Sequence, residues 1–153
     1  MKAKTDLQDA VDKSGDIAEF HQRFGLYYYG PPRALEPELQ DFRSKFLDEE
    51  LAEYKTAVLI LNDSRKPEDE RKAAAAKALD ALIDLIYVAE GTIHLHGFNG
   101  DEAWRRVQAA NMRKVRAERA VDSKRGSAFD VVKPPGWIAP DHSDLVADLI
   151  PLS

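Results

Sequence analysis

Asp80 and Asp84 are the only charges in LDALIDLIYVA, Leu79 to Ala89, a stretch that is otherwise apolar almost all round when wound as a helix. Being four apart, they share one face of that helix. A second acidic group, DEELAEY from Asp48 to Tyr54, is embedded in the same way. On a helix from Pro37 to Leu61, the apolar residues Phe42, Phe46, Leu47, Leu51, Tyr54, Ala57, Val58, Ile60 and Leu61 form one broad face. Glu50 projects near the middle of that face, Glu53 one turn on, and Glu49 at its edge. Two carboxylates roughly 5 Å apart repel by about 3 kcal/mol at an effective dielectric near 20. Burying them unpaired costs more. Four or five such groups converging in a core call for a cation of high charge, and hard all-oxygen ligands point to Mg²⁺ or Mn²⁺. The competing reading is structural: the glutamates on a solvated face, and Asp80 paired with Lys77 one turn before it. That pairing leaves Asp84 without a local partner.

The surrounding pattern predicts an all-α chain. A capping box of Thr5 and Gln8 opens a first helix from about Asp6 to Phe24. The loop LYYYGPPRAL follows, with three tyrosines. Pro37 suits the first turn of the second helix, which runs to Leu61. The third runs from about Pro67 to His96. Gly97 and Gly100 then punctuate, and a fourth runs from Asp101 to about Ala120. From Val121 onward prolines and glycines break any helical period, giving an irregular strap over 121–153 with a short helical turn near Ser143 to Leu149. Strand signals are weak throughout. The 153 residues fit one domain, with a four-helix bundle-like core over about 6–120.

Composition removes several function classes. There is no cysteine, which excludes disulfides, zinc fingers and thiol catalysis. A net charge of −5 argues against a nucleic-acid or anionic-membrane surface. MKAKTDLQDAV has no apolar core of a secretory signal, and Asp80, Asp84 and Glu90 interrupt the best candidate membrane span. The expectation is a soluble, cytoplasmic protein. No G-x-S-x-G, Walker loop or Gly-rich dinucleotide turn occurs, so phosphates would be held by metal and side chains. His21, His96 and His142 do not cluster in sequence, and all four histidines read as packing, surface or supporting residues.

Two sets of residues suit phosphate. Asn111 and Lys114 fall with Trp104 and Val107 on one stripe of the fourth helix, either as structural hydrogen bonders or as an amide and a point charge beside a metal-bound phosphate. In the tail, Lys124, Arg125 and Lys133 surround Phe129 and Trp137, a solvated run or a strap whose cations meet phosphate and whose aromatic meets a base.

DEELAEY, then DLIYVAEGTIHLHG, then AWRRVQAANMRKV, then KPPGW resembles in order the all-α nucleoside triphosphate pyrophosphohydrolases, the MazG-like and phosphoribosyl-ATP-pyrophosphohydrolase-like proteins, with their bacteriophage members nearest. The similarity spans about Phe20 to Pro140. The resemblance implies that Glu49, Glu50 and Glu53 match the metal-binding E-E-x-x-E motif. Asp84 matches the Asp of a second motif, usually Glu-x-x-Asp. Here the chain departs, with Ala81 at the Glu position and Asp80 as the plausible substitute. Asn111 and Lys114 match an Asn-x-x-Lys motif that holds substrate phosphates. The implied reaction cleaves a nucleoside triphosphate between its α and β phosphates, with Glu50 or Glu49 taking the proton of the attacking water. Purine deoxynucleotides, dGTP or dATP, are the first expectation, with Tyr27 to Tyr29, Tyr87 or Trp137 as base contacts. The alternatives are dUTP or dCTP removal, or a catalytically silent helical module that binds nucleotides or proteins. A homo-oligomer, dimer or tetramer, is expected from the family and because the second half of the third helix is apolar on every side.

Overall fold

A computed structural model describes residues 10–153. The Thr5–Gln8 capping box lies outside the described residues. The described part of the first helix, α1, is Lys13–Arg23, and Asp12 caps it by accepting a hydrogen bond from the Gly15 N–H at 3.0 Å. The next two helices, α2 (Pro37–Leu61) and α3 (Glu68–His96), follow the sequence pattern closely. Pro37 opens α2, and Gly97, at φ 70°, ends α3 in the left-handed conformation.

The chain divides into two compact units, one reaching to Phe98 and including Ile150–Ser153, the other Asn99–Leu149. In the first unit α2 and α3 pack antiparallel. Arg43, near the start of α2, donates from Nε to the Thr92 hydroxyl at 3.0 Å and from Nη2 to the Val88 carbonyl at 2.7 Å, near the end of α3. At the other end, Arg71 Nε donates to the Leu61 carbonyl at 2.9 Å. Small residues line the seam between them: Ala57 on α2 and Ala74, Ala78, Ala81 and Gly91 on α3 are all buried. Helix α1 lies on α3 through the buried Ile17 and His21, and Phe20 meets Tyr87 edge-on at 5.4 Å.

The buried stripe of α2 differs from the expected one. Arg43, Glu50 and Ala57 face inward at intervals of seven, whereas Phe42 is 57 % exposed and Leu51, Leu59 and Ile60 are also exposed. On α3, Leu79, Leu82, Ile83 and Ile86 are exposed as well. The seam selects small side chains because the helices approach closely, so the large apolar residues of both helices point elsewhere.

In the second unit the fourth helix, α4, is Gly100–Asn111 and stops well short of Ala120. Asn99 caps its start, accepting from the Glu102 N–H at 3.1 Å. After Asn111 the chain turns into a two-stranded antiparallel ladder, β1 (Val115–Arg116) with β2 (Val131–Val132). The Ala117 N–H extends the ladder to the Asp130 carbonyl at 2.9 Å. Pairing with a partner fifteen residues downstream overrides the helix-forming composition of RKVRAERA, and no local pattern announces it. A 3₁₀ turn at Ser143–Val146 lies within the expected short helical turn. It is pinned by Arg106, which grips both Asp144 carboxylate oxygens at 2.6 and 2.9 Å and the Asp141 carbonyl at 2.7 Å.

Gly91 is where the packing admits no side chain. A Cβ there would lie 2.7 Å from His21 Nε2 and 2.8 Å from Arg43 Nη2, both buried groups. Overpacking of this kind costs about 1–3 kcal/mol, and the helix-propensity gain of alanine returns at most about 1. Gly91→Ala is therefore expected to lower the urea midpoint of unfolding. An unchanged or raised midpoint would show that His21 and Arg43 can give way.

Candidate active site

Glu50 sits at the α2–α3 seam, only 7 % exposed, and its Oε2 is buried with no hydrogen-bond partner among the described residues. Its proton affinity is raised, first by burial and then by the charges of Glu53, Asp84, Glu49 and Asp80, in that order. Glu50 thus lies within the field of the other four carboxylates singled out in the sequence. The five come from two helices: DEELAEY supplies Glu49, Glu50 and Glu53 from α2, and Asp80 and Asp84 act on Glu50 from the antiparallel α3. Glu49, Glu53 and Asp80 line an open groove of about 630 Å³ with Lys77, Thr56 and Ile60. Asp84 is half-buried. Among the described residues no three His, Cys, Asp or Glu side chains are grouped tightly enough to form a ready ion cage.

The donor set fits a hard divalent cation. Among the described residues Glu50 Oε2 is a buried acceptor with its lone pairs unspent, and the negative charges of four nearby carboxylates make its ionisation harder. Lys77 does not neutralise the group: among the described residues it makes no ion pair with Asp80, although both line the groove. Ala81, at the position where the resemblance leads one to expect a glutamate, is packed into the seam at 2 % exposed, while its neighbour Asp80 is exposed on the groove.

The remaining expected residues are distributed differently. Tyr87 lines a separate apolar groove with Ile17, Ile83 and Ile86. The Tyr28 hydroxyl donates to the Pro31 carbonyl at 2.7 Å and its ring carries the Arg33 guanidinium at 3.6 Å, whereas Tyr27 and Tyr29 are exposed. The stripe through Trp104, Val107, Asn111 and Lys114 is not an inward one. Trp104 is 71 % exposed, Asn111 ends α4, and Lys114 lies beyond the helix. Lys114, Lys124, Arg125 and Lys133 come together in the second unit around a pocket of about 290 Å³, and Trp137 stands beside it.

The sequence reading missed Arg43 and the meeting of His21 with His94. Arg43 shares the inward stripe of Glu50 one heptad earlier, a spacing that could have marked it. His21, with His94 at 6.1 Å between ring centroids, has its proton affinity lowered by burial and then by the charges of Arg43 and His94. The histidines therefore pack, as expected, though two of them meet in space.

The family profile for phosphoribosyl-ATP pyrophosphohydrolase matches residues 17–111, well over half of the chain, and takes in the whole of α2, α3 and α4. Among individually curated proteins nothing matches. The helical architecture and the paired acidic segments are those of the MazG-like all-α nucleoside triphosphate pyrophosphohydrolase superfamily. Within it, the chain belongs to the phosphoribosyl-ATP pyrophosphohydrolase family. That membership sets the reaction class, pyrophosphohydrolysis of a nucleotide-like substrate. It carries no sign of a bacteriophage origin.

The electrostatics of Glu50 give a signed prediction. A carboxylate whose folded pKa lies above its unfolded value, about 4.3, contributes stability below that value and loses it as pH rises through the folded pKa. Ionised Glu50 is thus a cost to the metal-free fold at neutral pH. With chelator present at pH 7, Glu50→Gln is expected to melt higher than wild type, and the difference to shrink as pH falls toward about 4. Thermal melts of both proteins across that range measure it. A variant that melts lower at pH 7 would mean the carboxylate is stabilised by partners rather than strained.

Proposed function

We propose that the chain is a Mg²⁺- or Mn²⁺-dependent hydrolase that cleaves nucleoside triphosphates between the α and β phosphates, with purine deoxynucleotides, dGTP or dATP, as substrates. The observation that carries the reading is Glu50: a buried carboxylate without a partner, facing four others from α2 and α3, in a chain of this family. Glu49, Glu50, Glu53 and Asp84 are the proposed ligands, with Asp80 taking the place of the glutamate that Ala81 lacks. Bound there, the cation supplies charge neutralisation on the phosphate oxygens and acidifies a water. The chain's own part is to orient that water toward the α phosphorus and to accept its proton. Glu50 suits the second task, because burial and its neighbours raise its proton affinity above that of an ordinary glutamate. The water oxygen bonds to the α phosphorus, the bridging oxygen departs with pyrophosphate, and the monophosphate remains. Asn111 and Lys114 of the second unit are the proposed phosphate holders.

The exposed apolar residues support a homo-oligomer, dimer or tetramer. Leu79, Leu82, Ile83 and Ile86 on α3 and Leu59 and Ile60 on α2 are large, and the seam leaves them uncovered. No helix among the described residues is long and apolar enough to cross a membrane.

A panel of dGTP, dATP, dUTP, dCTP and phosphoribosyl-ATP with Mg²⁺ or Mn²⁺, read as monophosphate and pyrophosphate, tests the reading. Turnover of the purine deoxynucleotides is expected, and Glu50→Gln or Asp84→Asn abolishes it in folded protein. Turnover confined to dUTP or dCTP would move the specificity, and none with any substrate would leave a silent nucleotide-binding module.

Asp80 has its own test. As a ligand, Asp80→Asn weakens Mn²⁺ binding and cuts turnover by roughly 10- to 100-fold. Unchanged Mn²⁺ affinity in calorimetric titration would leave the site to Glu49, Glu50, Glu53 and Asp84.

A further inference from the structure

The second unit holds a pocket of about 290 Å³ outside the family-matched residues, formed where the turn after α4, the β1–β2 ladder and the loop between the strands meet. Lys114, Lys124 and Lys133 line it, and among the described residues none of the three makes an ion pair. Arg125 and two carboxylates also line it, and all three are already paired. Asp130 accepts from the Ser123 hydroxyl at 2.7 Å, from Arg125 Nη1 at 2.7 Å and from the Val131 N–H at 2.9 Å. Asp122 is gripped by Arg119, which donates from its backbone N–H, Nε and Nη2 at 3.1, 3.2 and 3.1 Å. The charge left to face the pocket is that of the three lysines.

Trp137 orients two of them without cancelling their charge. Its indole is fixed, Nε1 donating to the Ala110 carbonyl at 2.7 Å. The Lys114 and Lys133 ammonium groups lie 5.4 and 4.8 Å from its ring centroid. An aromatic face attracts a cation but brings no net charge, so both ammoniums keep their full charge for a ligand. A carboxylate in the same place would have neutralised one.

We propose that this pocket binds a polyphosphate chain, the triphosphate of a nucleotide or the pyrophosphate released from it. Three convergent ammoniums match the three to four negative charges of such a chain and exceed what a single phosphate needs, and an ammonium acts on phosphate as a point charge without fixing a base. Specificity at this site is therefore for the length of the phosphate chain. The tryptophan positions the lysines rather than stacking a base. The proposal deepens the hydrolase reading and rests on it only for the identity of the physiological anion.

The probe is inorganic tripolyphosphate titrated into the full chain in EDTA by calorimetry. Saturable binding is expected, with dGTP close to tripolyphosphate and dGMP at least about tenfold weaker. Tripolyphosphate tighter than pyrophosphate assigns the site to the substrate chain, and the reverse to the product. Charge-assisted hydrogen bonds are worth about 10- to 100-fold each in affinity, so Lys124→Gln/Lys133→Gln should weaken tripolyphosphate by about 100-fold or more. No binding by wild type, an unchanged affinity in the double variant, or tighter binding of a single-stranded oligonucleotide than of tripolyphosphate would each overturn the proposal. Glu50→Gln should bind tripolyphosphate as wild type does. Anion binding without turnover of any triphosphate would overturn the hydrolase reading alone, and turnover without anion binding would overturn this site alone.

Discussion

The close approach of α2 and α3 is the constraint on which the first unit depends. It is set by alanines along the seam and by Gly91, and it fixes which residues can meet. Helices that touch through small side chains bring their backbones near enough for Arg43 to reach the Val88 carbonyl. The same approach puts Glu50 within the field of Asp80 and Asp84. Both buried charges are costly to bury, but they are treated in opposite ways. Arg43 is satisfied by a hydroxyl and a carbonyl of α3. Glu50 is left with an unpartnered oxygen among like charges. An ion that the fold satisfies serves packing. One that it leaves strained, in a seam rigid enough to hold it, is where chemistry is expected.

The same seam accounts for the distribution of the apolar residues. Burying alanines yields little hydrophobic free energy per residue compared with leucine or isoleucine. A chain that spends its helix–helix contact on small side chains must bury its large ones in some other way. On α3 the exposed Leu79, Leu82, Ile83 and Ile86 form one apolar face of the segment that also carries Asp80 and Asp84.

Much of this was legible in the sequence because helices leave a period. The bounds of α2 and α3, the glycine stop at Gly97 and the acidic grouping all followed from local pattern. Two things did not. The broad apolar face of α2 looked like its inner face, yet Arg43, Glu50 and Ala57 point inward: a helical wheel shows which residues share a side, but the size the partner helix admits decides which side is buried. The end of α4 was misplaced for a different reason. RKVRAERA is good helix composition, and the event that stops the helix is pairing with Val131–Val132, a long-range contact that no local window contains.

That long-range pairing also explains how an irregular tail can carry a defined group of cations. Regular elements position side chains by repetition, whereas this segment relies on individual polar anchors. Asp130 ties Ser123, Arg125 and its own strand together, Arg106 holds the Ser143–Val146 turn, and Trp137 takes a carbonyl at the end of α4. Each anchor consumes one charge or dipole, and after all of them are placed Lys114, Lys124 and Lys133 make no ion pair among the described residues. The two units thus arrive at opposite charge by the same route. In the first, Glu50 is left with an unpartnered oxygen among carboxylates, and in the second, among the described residues, the ammoniums of Lys114, Lys124 and Lys133 are left without an ion pair.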